Sequence, residues 1–345
     1  VPATLHVVGV SAGTAAVLRM RRLRQANVPT TAYLMIGERC AHNCAFCAQA
    51  RHSTAREHYL SRVVWPPYPL DAVVSAVAPA FARHDIHRCC LQVTATPGWL
   101  GQTVALVDRL HTVSDVPISA SVALSQMAQV HALLERGVDR VTLALDAACD
   151  SAHRDAKGSG WHQRLKLLQE AAARFPGRVG THLIVGLGET EREMALALQT
   201  MIDWRVGLGL FAFTPVNGTL WEDRLPPALD SYRRIQVARH LMTVGACRVG
   251  DMCFSASGQI VDFGLNTDRL RVLLGDGRAF ETAGCWGCNR PYYNERPGGV
   301  KYNYPRPLTA AEAAAAIAET GLLPHLDGHQ KEPPANEVLA DDRRR

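Results

Sequence analysis

No apolar run in this 345-residue chain reaches the roughly 18 residues that a membrane span needs. The sequence therefore reads as that of a non-membrane protein. Val1 to Val10 is mildly apolar but has no basic n-region and no convincing cleavage site, so no secretory signal is expected and the expected compartment is the reducing cytoplasm. Long Lys/Arg blocks and aromatic-basic interleaving are also missing, and a net charge of +5 is modest. That argues against nucleic acid as a ligand and leaves an acidic protein partner open. No internal repeat is present. What the chain does have is 47% hydrophobic and 20% charged residues, the balance of a soluble globular protein. It also has ten cysteines, three of them within eight residues. In a reducing compartment such clustering points to metal rather than to disulfides.

Periodicity predicts alternating strands and helices. Ala12 to Gln25 reads as an amphipathic helix, and Thr30 to Ile36 as a strand. Further strand-like runs are Cys89 to Val93, Val116 to Val122, Arg140 to Leu145, Arg178 to Val185 and Leu208 to Thr214. Between them, Asp71 to Arg83, Gly101 to Thr112, Ser125 to Glu135, His162 to Arg174 and Glu191 to Trp204 are each long enough for a crossover helix, with another at Ser231 to Val244. This alternation predicts a TIM-type (βα) barrel of six to eight parallel strands. Gln259 to Phe263 reads as a last barrel strand or a hairpin, and Val64 to Pro69, with three prolines, as a loop. The expected organisation is an N-terminal helical segment over 1–29, the barrel over 30–264, a C-terminal cysteine-bearing region over 265–322 and a frayed tail over 323–345.

Directly after the first predicted strand comes Cys40-Ala41-His42-Asn43-Cys44-Ala45-Phe46-Cys47. The spacing lets one loop wrap three thiolates around an iron-sulfur cluster, for which thiolates are the soft ligands. With no fourth local cysteine one iron stays open to a substrate. A zinc site or buried free thiols are the plainer reading, and His42 reads as a loop residue. The run resembles the CxxxCxΦC motif of the radical S-adenosylmethionine (SAM) superfamily, with Phe46 in the aromatic place.

That resemblance implies a [4Fe–4S] cluster on Cys40, Cys44 and Cys47 whose open iron chelates SAM, and reductive cleavage of SAM to a 5′-deoxyadenosyl radical. Phe46 would contact the adenine. Gly186 to Glu191 resembles the superfamily's fifth-strand GxIxGxxE element, with Gly186 and Glu189 as SAM-site candidates, and Asp146 matches the acid that contacts the ribose in biotin-synthase-like members. A helix N-cap is the competing role for Asp146. Gln92 to Gly98 departs from the usual GGE-like turn, leaving Thr94 and Thr96 as candidates, with Ser119 and Ser121 similarly placed.

Near the C-terminus, Cys285-Trp286-Gly287-Cys288 together with upstream Cys253 can supply three ligands to an auxiliary cluster, with a structural zinc site as the alternative. Cys89, Cys90 and Cys149 read as structural. The stretch from Cys285 through Arg290 to Tyr304 resembles one component of the two-protein lipoyl synthases, a biotin-synthase-like branch. The resemblance implies insertion of sulfur at C6 or C8 of an octanoyl group carried on a protein lysine, with the auxiliary cluster, expected to be [4Fe–4S], as sulfur donor. It further implies an octanoylated lipoyl carrier protein and a paralogous radical SAM protein as partners, and flavodoxin or ferredoxin as reductant. Tyr292, Tyr293, Asn294 and Arg296 are candidates to line the access for that chain. Leu143-Ala144-Leu145 stands where biotin synthase has Asn-His-Asn, which lowers dethiobiotin as a substrate. Mutase or lyase chemistry on a small molecule is the alternative enzyme reading, and an electron carrier or zinc-stabilised binding protein the non-catalytic one.

Overall fold

The structure, a computed structural model, describes residues 5–296 and 298–322. The expected tail over 323–345 lies outside them. In chain order the strands are β1 (Val7–Val10), β2 (Thr31–Ile36), β3 (Tyr59–Leu60), β4 (Val63–Val64), β5 (Pro67–Pro69), β6 (Arg88–Val93), β7 (Ile118–Val122), β8 (Arg140–Leu143), β9 (Val179–Val185), β10 (Gly207–Ala212), β11 (Cys253–Phe254) and β12 (Ile260–Asp262). The helices are α1 (Ala12–Val17), α2 (Leu70–Ala82), α3 (Trp99–His111), α4 (Met127–Glu135), α5 (Asp150–Lys157), α6 (Trp161–Arg174), α7 (Glu191–Asp203), α8 (Leu229–Thr243), α9 (Thr267–Leu274) and α10 (Ala310–Ala318).

Every residue of β2 and of β7 is buried, the signature of strands covered on both faces. One eight-stranded sheet runs β10-β9-β8-β7-β6-β2-β1-β5. Six neighbours from β2 to β10 pair in parallel, each joined to the next through helix. β1 and β5 extend the β2 side in antiparallel fashion. The barrel is thus a partial one of six parallel strands, the low end of the expected range. Among the described residues β10 has no strand beyond it, and the segment 284–294 lies over that edge instead. Asn294 Nδ2 donates to Ala212 O at 2.7 Å, and the Arg290 guanidinium stacks 4.0 Å from the Phe211 ring centre. On the far side of the gap, Arg290 N–H donates to the Tyr33 hydroxyl at 3.0 Å. This segment is a stave between β10 and β2.

Two expectations change, and an open alternative is decided. The N-terminal helix is α1 alone: it starts on a Ser11 side-chain cap, and soon after it Arg19 turns to φ +60°, ahead of Arg21, Arg22 and Arg24, whose like charges have no helical partner. Val64 to Pro69 is not all loop, because Pro67–Pro69 pairs with β1 at the sheet's edge, where a missing N–H costs little. Gln259 to Phe263 is a hairpin partner of β11 rather than a barrel strand. That hairpin is held on the outside, where Glu191 accepts the Ile260 N–H at 2.8 Å and pairs with the buried Arg234 at 2.6 Å.

Candidate active site

Beyond β2 the chain turns at Gly37, whose φ of +90° favours glycine, and a Cβ there would stand 2.2 Å from Thr94 Oγ1 and 2.9 Å from Thr96 Oγ1. Gly37→Ala is therefore expected to destabilise the apo protein by about 1–3 kcal/mol, read by urea unfolding of the two proteins side by side. The cysteine loop that follows is bonded to itself and to the barrel top. Cys40 N–H donates to Gln49 O at 2.8 Å, Ala45 N–H to Ala156 O at 2.7 Å, and Arg51 N–H to His42 O at 2.9 Å. Arg39 donates to Ala48 O and Ala55 O. Two backbone N–H groups, those of His42 (3.4 Å) and Ala95 (3.3 Å), point at Cys40 Sγ. Burial pushes the Cys47 thiol up to about 12 and raises Cys44, the latter against the pull of the Lys157 ammonium. Thiols so placed become thiolates only with a cation beside them, which fits an iron centre.

Thr94 and Thr96 do not face the main cavity. Thr94 Oγ1 donates to Ile36 O at 3.2 Å, and Thr96 Oγ1 is buried without a partner. The peptide between them makes the contact with the cysteine loop, since Ala95 O also accepts Ala41 N–H at 2.9 Å. The Glu189 carboxylate accepts Gly186 N–H (2.7 Å) and Leu187 N–H (3.0 Å), so it closes the turn that follows β9. Gly186 sits at φ +100° with room for no Cβ, which would lie 3.0 Å from Pro227 Cδ. The turn presents Leu187 to a small apolar cluster with Ala147, Phe213 and Phe46.

Asp146 follows β8 at φ +67° and is buried. It caps no helix, because the N-cap of α5 is Cys149. Its partner is Lys157, Nζ to Oδ2 at 2.5 Å, and Lys157 also donates to Ala144 O at 2.7 Å. Burial alone would raise the Asp146 carboxyl, but Lys157 and His182 hold it below the usual carboxylate range. His182 on β9 is fully buried beside it and is pushed down to about 4, mainly by burial, so its imidazole is neutral at pH 7.

Asp146, Phe46, Cys47, Ser121 and His182 line one cavity of about 180 Å³ that runs down the inside of the barrel. At the C-terminal ends of the strands its wall includes Phe213 and Thr214, and at their N-terminal ends Arg140, Gly180 and Gly207. The floor is the loop around Cys285 and Cys288. Thr30 Oγ1 donates to Gly287 O at 2.6 Å, Thr30 N–H to Asn289 Oδ1 at 3.0 Å, and Arg88 Nη1 to Trp286 O at 3.3 Å, all at the beginnings of β2 and β6. Cys285 and Cys288 thus face the cavity from the end opposite Cys47.

Cys253 is not with them. It is exposed on the outer hairpin against α7, because its two-residue strand pairs with β12 and not with the barrel. In its place the barrel brings Cys90, a residue whose sequence context reads as structural. On a strand successive side chains alternate, so of the neighbours Cys89 and Cys90 one packs under the helices and the other lines the cavity. His182 and Arg290 likewise line the cavity, and Lys157 backs Asp146; none of the three was a site candidate from the sequence. Of the access candidates, Tyr293 and Asn294 line the cavity, whereas the Tyr292 hydroxyl accepts the N–H groups of Ala26 and Asn27 at 3.1 Å. Among the described residues no three His, Cys, Asp or Glu side chains converge tightly enough to hold a single metal ion.

The model of the Radical SAM superfamily matches residues 34–201, which span β2 and the cysteine loop through most of α7. Over these residues the chain is similar to radical SAM proteins, a likeness that carries the expectation of a [4Fe–4S] cluster and SAM, and Cys40, Cys44 and Cys47 fit it. It is also similar to biotin synthases: 27% identity over 191 residues to that of Desulfotalea psychrophila, covering 54% of this chain and 54% of the relative. To the biotin synthase of Chlorobium phaeovibrioides it is 26% identical over 193 residues, covering 52% of this chain and 54% of the relative. The match spans about half the length of these relatives. Similar solved structures include the FeFe-hydrogenase maturase HydG from Carboxydothermus hydrogenoformans (TM-score 0.48, 15% identity, 62% of this chain and 51% of that one). SuiB from Streptococcus suis has a TM-score of 0.48 and 11% identity over 66% of this chain and 54% of its own. Among the described residues no helix is long and apolar enough to cross a membrane.

Proposed function

We propose that this protein is a radical SAM sulfurtransferase that inserts sulfur into an unactivated C–H bond, at C6 or C8, of a protein-bound octanoyl group in lipoyl cofactor biosynthesis. The observation that carries the reading is the single cavity with Cys47 and Phe46 at one end and Cys285 and Cys288 at the other. Bound at Cys40, Cys44 and Cys47, a [4Fe–4S] cluster with SAM supplies a 5′-deoxyadenosyl radical able to take a hydrogen atom from an aliphatic carbon. The residues of the chain do the rest by placement. Phe211, Phe213, Leu208 and Ile184 give the cavity an apolar wall suited to an acyl chain. That wall keeps water from a reactive carbon centre and holds it in line between the two ends, where position alone is worth several kcal/mol. Asp146, ionised beside Lys157, offers a carboxylate to vicinal ribose hydroxyls, and neutral His182 adds no charge that would repel an acyl chain.

A protein carrier fits the exterior. Arg19, Arg21, Arg22 and Arg24 form an exposed cationic stretch suited to an acidic lipoyl domain. A paralogous radical SAM protein as partner and flavodoxin or ferredoxin as reductant belong to the same reading. Incubating the anaerobically reconstituted protein with SAM, dithionite and an octanoylated carrier peptide should add the mass of one sulfur to the peptide, and fragmentation would locate C6 or C8. An unchanged peptide mass together with 5′-deoxyadenosine formation would favour the second reading, biotin-synthase-like chemistry on a small molecule, which the kinship with biotin synthases supports.

A further inference from the structure

We infer that the second metal site is a polynuclear iron-sulfur centre held by Cys90, Cys285 and Cys288, with Cys253 taking no part. The inference rests on the two-site reading above but stands on separate geometry. Parallel pairing sets Tyr33 of β2, Cys90 of β6 and Ser119 of β7 side by side in one rung, and all three line the cavity. The outer two members of the rung each touch one cysteine of the floor loop. The Tyr33 hydroxyl lies 3.3 Å from Cys288 Sγ, and the Ser119 hydroxyl 3.5 Å from Cys285 Sγ. Neighbouring strands lie about 4.8 Å apart, so Cys90 stands between the points where the two floor cysteines meet the wall.

The surroundings are those of a thiolate-bound centre rather than of a hydrophobic core. Hydroxyls stand against Cys285 and Cys288, and Gln92 Nε2 donates to Cys90 Sγ at 3.1 Å. Arg290 brings a cation to the same chamber, with its guanidinium donating to Ala283 O. Among the described residues the three sulfurs do not close on a single-ion geometry, and neither do Cys40, Cys44 and Cys47. Three cysteines with a fourth position open to another ligand are a set that iron-sulfur clusters take. The site lies at the N-terminal ends of the strands, opposite the face where barrel enzymes usually place their chemistry.

The test counts iron and acid-labile sulfide per chain in the full-length protein after anaerobic reconstitution with iron and sulfide, with Mössbauer spectra to type the centres. A variant with Cys40, Cys44 and Cys47 all changed to Ala should keep roughly half of the wild-type iron. Adding Cys90→Ser to that variant should lower the remaining iron on the order of tenfold, whereas adding Cys253→Ser should leave it unchanged. Serine matches the size of the cysteine it replaces, and thermal unfolding of the apo proteins shows whether each variant has folded. Residual iron that survives Cys90→Ser, or that is lost with Cys253→Ser, would overturn the inference, as would a folded triple variant that takes up zinc but no iron. If the iron follows Cys90 and no sulfur reaches the octanoyl peptide, the site stands and the proposed reaction falls.

Discussion

Replacing Cys44 by alanine is expected to abolish 5′-deoxyadenosine formation, a fall on the order of a thousandfold or more, because two thiolates cannot hold the cluster that the whole reaction depends on. The effect should be as large for Cys40 and Cys47, since the three sit on one loop whose backbone is already fixed by bonds to Gln49, Ala156 and Ala95. The measurement is chromatography of the nucleoside after anaerobic incubation with SAM and dithionite. Near wild-type amounts from Cys44→Ala would end the radical reading. A prearranged loop of this kind also predicts that each variant still folds, since the cysteines contribute little packing that alanine cannot replace.

Lys157→Met is the second large change, and its effect is on stability. The Asp146–Lys157 pair is 12% and 6% exposed, so solvent screens it little, and removing the ammonium leaves a buried carboxylate without its partner. Breaking such a pair costs about 3–5 kcal/mol, whereas the double variant Lys157→Met/Asp146→Leu should recover much of the loss. The two proteins should also differ in the sign of their pH dependence. In the wild type the folded-state carboxyl lies below its ordinary value, so the pair's contribution is complete above pH of about 4 and is lost as pH falls through the folded pKa. In Lys157→Met the chief opposing charge is gone and burial is countered only by His182 and Arg164, so the pKa is expected to rise and this carboxyl to contribute less stability as pH rises towards neutrality. Urea unfolding between pH 3 and 8 decides it. Parallel stability profiles for the two proteins would mean that Asp146 is not paired as described.

How much could be read from residues alone follows from the range of each interaction. The six parallel strands and their crossover helices were visible because strand and helix periods are local, and their observed bounds shift by only a few residues. The Cys40–Cys47 loop was visible because its three ligands lie on one short stretch. β1 escaped because four residues that include Gly9 carry too little pattern, and Pro67–Pro69 because proline speaks against a strand until an edge position is known. The second cysteine group was only half legible. Cys285 and Cys288 announce themselves by spacing, whereas Cys90, which the fold sets in the same cavity, lies on a strand nearly two hundred residues earlier, and Cys253 was nearer in sequence. The doublet Cys89-Cys90 held a usable sign, since in a barrel strand one of two adjacent residues must face inward. Lys157 and His182 carry no motif, and only the fold places them around Asp146.

The stave over residues 284–294 makes holding a ligand and closing the wall one event. The stretch that spans the gap between β10 and β2 also carries Cys285 and Cys288, and its contacts to Tyr33, Ala212 and Thr30 are few hydrogen bonds on an otherwise unpaired edge. Whatever binds those sulfurs adds its binding free energy to the closed state. Amide hydrogens of this segment should therefore exchange with deuterium faster in the metal-free protein than in the reconstituted one, while those of β2 and β7 exchange slowly in both. The gap in the strand circle then acts as a lateral seam, with the state of the interior setting how firmly it is shut.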